Sequence, residues 1–279
     1  MRRRSLLRLA VVPVVSLVVL TGCGSSEGGS SSGGSSDSGS SGSGSSEGSE
    51  DSGSEQAAEP LTKSDFGDRI YAAFKDAGTL SFTLEQGGAS TAKGSGQADL
   101  SGDQVASKVT TEAPGVGTVD AIVLDGLYYI KAAQLSGEKW LKIDPKAKDG
   151  PGALLGALGG SSDPSKLLQV MNQASEVTAE GQEEVDGTET TKYHVVLPRK
   201  AFAASLGSNP QITQMLPEQV EFDMWVDADD LVRKQVSELA VGGQQTSTTL
   251  TYSDFGEPVV IEAPPASQTT TKPPAGLGG

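Results

Sequence analysis

Apolar and polar residues alternate along much of the chain, and this period of two predicts β-strands. The clearest case is the stretch 219–226, in which Val220, Phe222 and Met224 alternate with polar residues. A strand of this kind has one apolar face and one solvated face. The same pattern predicts eleven strands, at residues 79–85, 92–100, 104–112, 118–124, 127–132, 139–143, 176–184, 188–197, 219–226, 231–239 and 244–252.

Turn-forming residues separate several of these strands. Asp125-Gly126 and Asp186-Gly187 stand between two predicted strands, and a two-residue Asp-Gly pair in that position is the strongest short signal for a β-hairpin. Ser101-Gly102-Asp103 joins the second and third strands in a similar way. The strands therefore form an antiparallel meander.

A helix is predicted before the first strand, because apolar residues recur there every four positions. Thr62 or Ser64 is suited to cap its amino end, and Gly78 is suited to end it. The apolar stripe consists of Phe66, Ile70 and Phe74. A stripe with this spacing faces a partner surface, here the sheet that follows.

Two segments interrupt the series of strands. Residues 150–160 are apolar but rich in glycine, which favours a mobile lid over a regular helix. A helix is predicted next, with Asp163 as its cap and Pro164 at its first position. The second segment, residues 198–216, is predicted to form short helical pieces.

Together these elements predict an α+β fold: a strongly curved antiparallel sheet of about eleven strands, forming a half-barrel with helices over its concave face. The covering segments carry small or flexible residues, and only 13 residues of the chain are aromatic. Such a cover favours an apolar cavity for an apolar ligand, with plain core packing as the alternative. The candidate cavity residues are Leu154, Leu155, Leu158, Leu167, Leu168, Met171, Phe202, Ile212, Met215, Leu216, Phe222 and Met224.

The amino-terminal segment is typical of a secretory signal peptide. Four arginines precede or adjoin an apolar run, residues 9–20, which is shorter than the ~20 apolar residues of a transmembrane helix. The run ends in Leu20-Thr21-Gly22-Cys23, which resembles a bacterial lipobox. This resemblance implies that the signal, residues 1–22, is removed and that Cys23 is acylated, which would anchor the protein to a membrane. A plain secretory signal with an incidental cysteine is the alternative.

Residues 24–54 contain only glycine, serine, aspartate and glutamate. Such a segment has no apolar surface to bury, so residues 23–59 are predicted to be the acylated cysteine followed by a disordered tether. The 31 residues 24–54 would have a root-mean-square reach of about 30 Å. The folded domain is predicted at residues 60–266, and residues 267–279 are predicted to be a disordered tail.

Charge and composition argue against several classes of function. The formal net charge is −15, and the chain from Cys23 onward has 17 basic residues against 36 acidic ones, which disfavours nucleic acid as a partner. One cysteine and one histidine are too few for a zinc or iron–sulfur site, so we expect no cofactor. His194 is predicted to be an ordinary strand residue, and we expect no enzyme. Asp227, Asp229 and Asp230 lack the glycine and glutamate of a calcium loop and predict a solvated hairpin turn.

Four parts of the chain carry a family resemblance. They are the lipobox, the initial helix, the meander that ends in Asp125-Gly126-Leu127-Tyr128-Tyr129-Ile130, and the carboxyl part that runs from Val226-Asp227-Ala228-Asp229-Asp230 to Ala263-Pro264-Pro265. These parts resemble the LppX/LprG-type actinobacterial lipoproteins, within the wider group of LolA- and LolB-like lipid carriers. The resemblance would cover most of residues 60–265.

The resemblance implies a half-barrel, an apolar cavity, and traffic of acylated lipids or lipoglycans from the plasma membrane toward the outer envelope. It brings no catalytic residues. The partners that it implies are an acylated lipid or glycolipid, the plasma membrane through the Cys23 anchor, and an envelope lipid exporter. The protein would then work at the extracytoplasmic face of the cell membrane. The alternative is an extracytoplasmic sensory or scaffolding lipoprotein that uses the same fold for protein contacts.

Overall fold

The computed structural model describes residues 59–88, 91–147, 170–205, 210–241 and 244–272, and these residues are mostly β-strand. The described helices are α1 (Phe66–Ala77), α2 (Ala133–Ser136), α3 (Arg199–Ser205) and α4 (Pro210–Met215). The described strands are β1 (Thr79–Gly88), β2 (Ala92–Asp99), β3 (Ala106–Ala113), β4 (Gly117–Leu124), β5 (Leu127–Ala132), β6 (Trp140–Ile143), β7 (Glu176–Val185), β8 (Thr188–Pro198), β9 (Gln219–Val226), β10 (Val232–Val241), β11 (Gln244–Ser253) and β12 (Thr269–Thr270).

The twelve described strands form one sheet in the order β12-β6-β5-β4-β3-β2-β1-β11-β10-β9-β8-β7. Every neighbouring pair is antiparallel except β12 with β6, which is parallel, so the sheet is mixed. The eleven strands predicted from alternation are all present as β1–β11. The meander is confirmed, and the short helical pieces predicted within residues 198–216 are present as α3 and α4.

The strong curvature that we predicted is wrong, because the sheet is not strongly curled. Its two edges, β12 and β7, lie at opposite ends of the strand order. A hairpin order fixes which strands are neighbours, whereas curling depends on bulges that bend each strand. In the described residues the ladder shifts at only two places, between Ala179 and Gly181 in β7 and between Val232 and Lys234 in β10.

The N-cap of helix α1 is one residue after Ser64, the later of the two positions that we expected to cap it. It is Asp65, not Thr62 or Ser64, and the Asp65 side chain makes no capping hydrogen bond to the helix. The Thr62 and Ser64 hydroxyls lie 2.9 Å apart and bond each other. The predicted end is confirmed, since Gly78 has a φ of 73° and its N–H donates to the Phe74 carbonyl.

The apolar stripe of α1 packs on one face of the sheet, which we call the inner face. Phe66 meets Tyr193 of β8 edge to face, with ring centroids 5.7 Å apart. Phe74 makes the same kind of contact with Tyr252 of β11. Around them lies a core of buried residues from β1, β2, β3, β8, β9, β10 and β11. The predicted contact between this helix and the sheet is therefore confirmed.

Gly96 of β2 gives a first testable prediction. A Cβ atom at this position would lie 2.5 Å from Cζ of Phe82 and 2.7 Å from the Lys108 carbonyl oxygen. Gly96→Ala therefore overpacks the core, and we expect it to lower the free energy of unfolding by about 1–3 kcal/mol. Urea denaturation measures this loss. Ser95→Ala, an exposed position next to it in the strand, is the control and should change stability little. Equal effects of the two substitutions would contradict the contact.

The turn between β9 and β10 is solvated only in part: Asp229 is exposed as predicted, but Asp227 is buried. Its Oδ1 accepts hydrogen bonds from the backbone N–H groups of Asp229 and Leu231, at 2.9 and 3.0 Å. Its Oδ2 accepts a 2.5 Å hydrogen bond from Nε of Arg233. The turn also contacts α1, because Arg69 of this helix donates two hydrogen bonds to the Asp230 carboxylate.

After β11 the chain continues through residues 254–268, which we call the C-terminal strap and which end in the short 3₁₀ helix Ala266–Gln268. Gly256 N–H donates to the Thr79 carbonyl, and the Thr79 hydroxyl donates to the Glu257 carbonyl. The strap then reaches β6, where β12 pairs beside Trp140 and Leu141. Residues 269–270 thus pair in a segment that we predicted to be a disordered tail. Composition could not indicate this, because β6 supplies backbone partners that a polar segment can use.

Candidate functional site

The inner face of the sheet continues past the core around α1. In paired strands, residues directly opposite each other project to the same face. One inner row across β3–β6 consists of Val109, Ala121, Ile130 and Leu141. A second row consists of Ser107, Val123, Tyr128 and Ile143. Apolar side chains therefore dominate this part of the inner face.

The exposed fraction of the side chains changes from strand to strand along these rows. Val109 is 4% exposed and belongs to the core around α1. Ala121 and Ile130, on the next two strands, are half-buried and lie outside that core. We call the inner-face residues of β4–β6 the apolar platform, which consists of Ala121, Val123, Tyr128, Ile130, Leu141 and Ile143. This surface is continuous with the core but, within the described residues, is not part of it.

The chain leaves the sheet beside this platform and returns at the far edge. β6 is second in the strand order, and β7 is last. The residues that lead into β7 lie on the inner face, because Val170 and Ala174 are buried in the core around α1. Residues 148–169, between these described parts, include the predicted lid, the helix predicted after it and five of the predicted cavity residues. Leu154, Leu155, Leu158, Leu167 and Leu168 all lie outside the described residues.

The other predicted cavity residues fall into different environments. Phe222 and Met224 of β9 belong to the core around α1, and Met171 and Phe202 are partly buried against it. Leu216 is buried, whereas Met215 is 50% exposed. The side chain of Ile212 and all of Cys23 lie outside what the structure describes. Met215 therefore faces solvent at the end of α4, whereas Phe222 and Met224 pack in the core.

The platform residues were missed because we looked for the cavity wall in the helical insertions. The alternation was a weak signal here, because Ile122 and Leu124, which project to the opposite face from Ala121 and Val123, are apolar too. What the alternation cannot show is which strands the helix covers. Which strands are covered depends on where α1 packs on the sheet.

His194 belongs to an ion-pair cluster on the outer face, the face opposite α1. Its Nδ1 lies 2.9 Å from Oδ1 of Asp223. Lys192 Nζ lies 3.0 Å from Oδ2 of Asp223 and 2.7 Å from Glu180. The cluster thereby links β7, β8 and β9, which fits a structural role for His194.

The cluster favours the charged forms of Asp223 and Lys192. Burial opposes ionisation of Asp223, but hydrogen bonds from His194 and Lys192 outweigh it and lower the pKa of the carboxyl. Hydrogen bonds to Glu180 and Asp223 raise the pKa of Lys192. The described residues contain no group of three His, Cys, Asp or Glu side chains that could hold a metal ion.

Comparison with known proteins places the chain in a family. The family described as "Family of unknown function (DUF7537)" matches residues 8–257. The chain belongs to this family. The description of the family states no activity. In the described part of this DUF7537 protein, no helix is long and apolar enough to cross a membrane.

Two curated Streptomyces proteins are similar to this DUF7537 chain. The Streptomyces griseus "Uncharacterized 31.2 kDa protein in rplA-rplJ intergenic region" is 28% identical over 184 residues, which are 57% of this chain and 58% of the relative. The Streptomyces coelicolor "Putative lipoprotein SCO4650" is 26% identical over 166 residues, 56% of this chain and 52% of the relative. The chain thus spans little more than half the length of the curated relatives that it matches.

Solved structures confirm the predicted resemblance to LppX-type lipoproteins at the level of the fold. The crystal structure of the Mycobacterium tuberculosis lipoprotein LppX matches with a TM-score of 0.50 and 16% identity, over 72% of this chain and 98% of LppX. LprF from Mycobacterium bovis matches with a TM-score of 0.47 and 14% identity, over 72% and 97% of the two chains. The DUF7537 chain therefore has an LppX-like fold.

Proposed function

We propose that this DUF7537 protein is a membrane-anchored lipoprotein that binds acylated lipids or lipoglycans and carries them across the cell envelope. The observation that carries the proposal is the apolar platform. It is an apolar surface continuous with the core, and four of its six residues, among them Ala121 and Ile130, are half-buried, while Leu141 and Ile143 are buried. An acyl chain on such a surface would be stabilised by about 0.8 kcal/mol for each CH₂ group removed from water.

The expected anchor supports a role at a membrane. Cys23 follows the signal-like segment in a lipobox pattern, and the name of the Streptomyces coelicolor relative describes a lipoprotein. Acylation of Cys23 would hold the protein on the extracytoplasmic face of the membrane. The tether would let the domain move over about 30 Å, far enough to collect a lipid from the bilayer and present it elsewhere.

The second wall of the site would come from the chain between β6 and β7. Its described ends flank the platform, since Ile143 belongs to the platform and Val170 to the adjoining core. We propose that Leu154, Leu155, Leu158, Leu167 and Leu168 face the platform, with acyl chains held between. The partners would be the lipid ligand, the membrane and an envelope lipid exporter.

Native mass spectrometry with lipid extraction tests the proposal. The chain from residue 23, with Cys23→Ser so that no anchor is attached, should carry about one co-purified acylated lipid per molecule. Ile130→Trp places a bulky ring on the platform and should lower uptake of a fluorescent acyl probe roughly tenfold, because it displaces about two CH₂ groups. The titration of this probe gives the affinity directly.

Lys131→Trp is the matched control, because Lys131 is the next residue of β5 and projects to the outer face. It should leave probe uptake unchanged. If both variants bind the probe like the parent, the platform is not the site. An apo mass together with no binding of the probe would favour the alternative function, a sensory or scaffolding lipoprotein.

A further inference from the structure

The outer face of β5 and β6 carries an open hollow, which residues of the segment 264–272 border on one side. Its volume is about 460 Å³. Its floor holds Tyr129 and Lys142, which are directly paired on β5 and β6. Its wall holds Pro264 and Ala266 with residues 269–272. Since Ile130 and Leu141 project inward, the hollow and the apolar platform lie on opposite faces of the same strands.

The lining of the hollow combines a ring, hydroxyls and amines. Tyr129 is 7% exposed, and Lys142 Nζ lies 5.9 Å from the centre of its ring. Residues 269–271 are three consecutive threonines. The Thr269 hydroxyl donates to the Pro265 carbonyl at 3.0 Å, which helps to fix this wall beside β6.

Two lysines border the hollow together. In the part of the chain that the structure describes, Lys93 pairs with Glu85 and Lys192 pairs with Glu180, whereas other lysines, such as Lys131 and Lys200, form no ion pair. Within the described ranges, Lys142 and Lys272 form no ion pair with a carboxylate. Two positive groups beside one hollow, in a chain of net charge −15, create a local site for an anion.

We propose that this hollow binds a phosphorylated polyol or sugar. The phosphate oxygens accept hydrogen bonds from Lys142 and Lys272. Because both partners are charged, these hydrogen bonds are stronger than those between neutral groups. The threonine wall faces the hydroxyls of the ligand, and the small exposed part of the Tyr129 ring contacts its carbon atoms. The volume exceeds that of phosphate alone, which leaves room for the polyol. The ligand is either the head group of an anionic lipid or a soluble phosphate ester.

Titration with sn-glycerol 3-phosphate, and flotation with phosphatidylglycerol vesicles, test this site on the chain from residue 23 with Cys23→Ser. We expect saturable binding to the parent. The affinity should fall about tenfold or more in Lys142→Gln, and further in the double variant that also carries Lys272→Gln, because each substitution removes a charge-assisted hydrogen bond. Ala266→Phe keeps both positive charges but fills the hollow with a ring. This variant should abolish binding. Binding of the soluble ester supports a free ligand, whereas binding only to the vesicles supports a lipid head group.

Lys200→Gln is the control, since Lys200 is exposed on α3, away from the hollow, and the change in net charge is the same. It should bind like the parent. The proposal is overturned if neither probe binds, or if Lys142→Gln and Lys200→Gln bind alike. Thermal unfolding of each variant shows that the fold survives. Acyl-probe uptake on the opposite face should be unchanged in Lys142→Gln, so this proposal and the lipid-binding function can fail separately.

Discussion

Replacing Asp227 with alanine should lower the free energy of unfolding by about 3–5 kcal/mol, the largest loss that we expect from a single polar side chain. The side chain of Asp227 is only 4% exposed, and it accepts hydrogen bonds from the backbone of Asp229 and Leu231 and from the Arg233 guanidinium. Its removal leaves two backbone donors and a positive charge without their acceptor. Urea denaturation of the chain from residue 23 measures the loss.

Asp229→Ala is the matched control, because this carboxylate is on the same turn but exposed. It should change the free energy of unfolding by no more than about 0.5 kcal/mol. Arg233→Ala, combined with Asp227→Ala, should lose less than the sum of the two single changes, since the partners act together. A loss below about 1 kcal/mol for Asp227→Ala would show that the turn does not depend on this carboxylate.

Replacing Phe74 with alanine should also be costly, at about 3–5 kcal/mol, because it opens a cavity in the core. The ring is 1% exposed and touches Tyr252 and Phe255 edge to face, each with centroids 5.7 Å apart. Burial raises the pKa of Tyr252, so its phenol stays neutral beside the ring. The same urea measurement, with near-ultraviolet circular dichroism for the packing of Tyr252, detects the change.

Asp76→Ala, an exposed position on the same helix, controls for changes in helix propensity. We expect it to alter stability by less than about 0.5 kcal/mol. Phe74→Leu should recover part of the loss, because it refills much of the cavity. If Phe74→Ala and Asp76→Ala unfold at the same urea concentration, α1 does not depend on this contact with the sheet.

Local patterns in the sequence were enough to place the strands and the main helix. Alternation over a few residues decides which face of a strand is apolar, and an Asp-Gly pair such as Asp125-Gly126 decides where it turns. Gly78 ended α1 as expected because the left-handed backbone required there favours glycine. Each of these signals acts between residues that are close in the chain, so a single sequence contains it in full.

Contacts between distant residues could not be predicted in this way. Asp227 was expected to be solvated, and its burial depends on Arg233 and on how the β9–β10 turn packs against α1. The curvature of the sheet was expected to be strong, but the described bulges fall in only two strands near one edge. Residues 269–270 pair with β6 only because the strap carries them there.

The candidate site shows the same division most clearly. Phe222 of β9 and Ile130 of β5 are both large apolar residues in predicted strands, and the alternation in β9 predicted that Phe222 shares an apolar face with Val220 and Met224. The tertiary structure decided that Phe222 is buried in the core around α1, while Ile130 stays half-buried on the apolar platform. The reason is physical: the period of two fixes the side of the sheet, whereas burial depends on which element packs on that side. A helix of 12 residues covers only some of twelve strands.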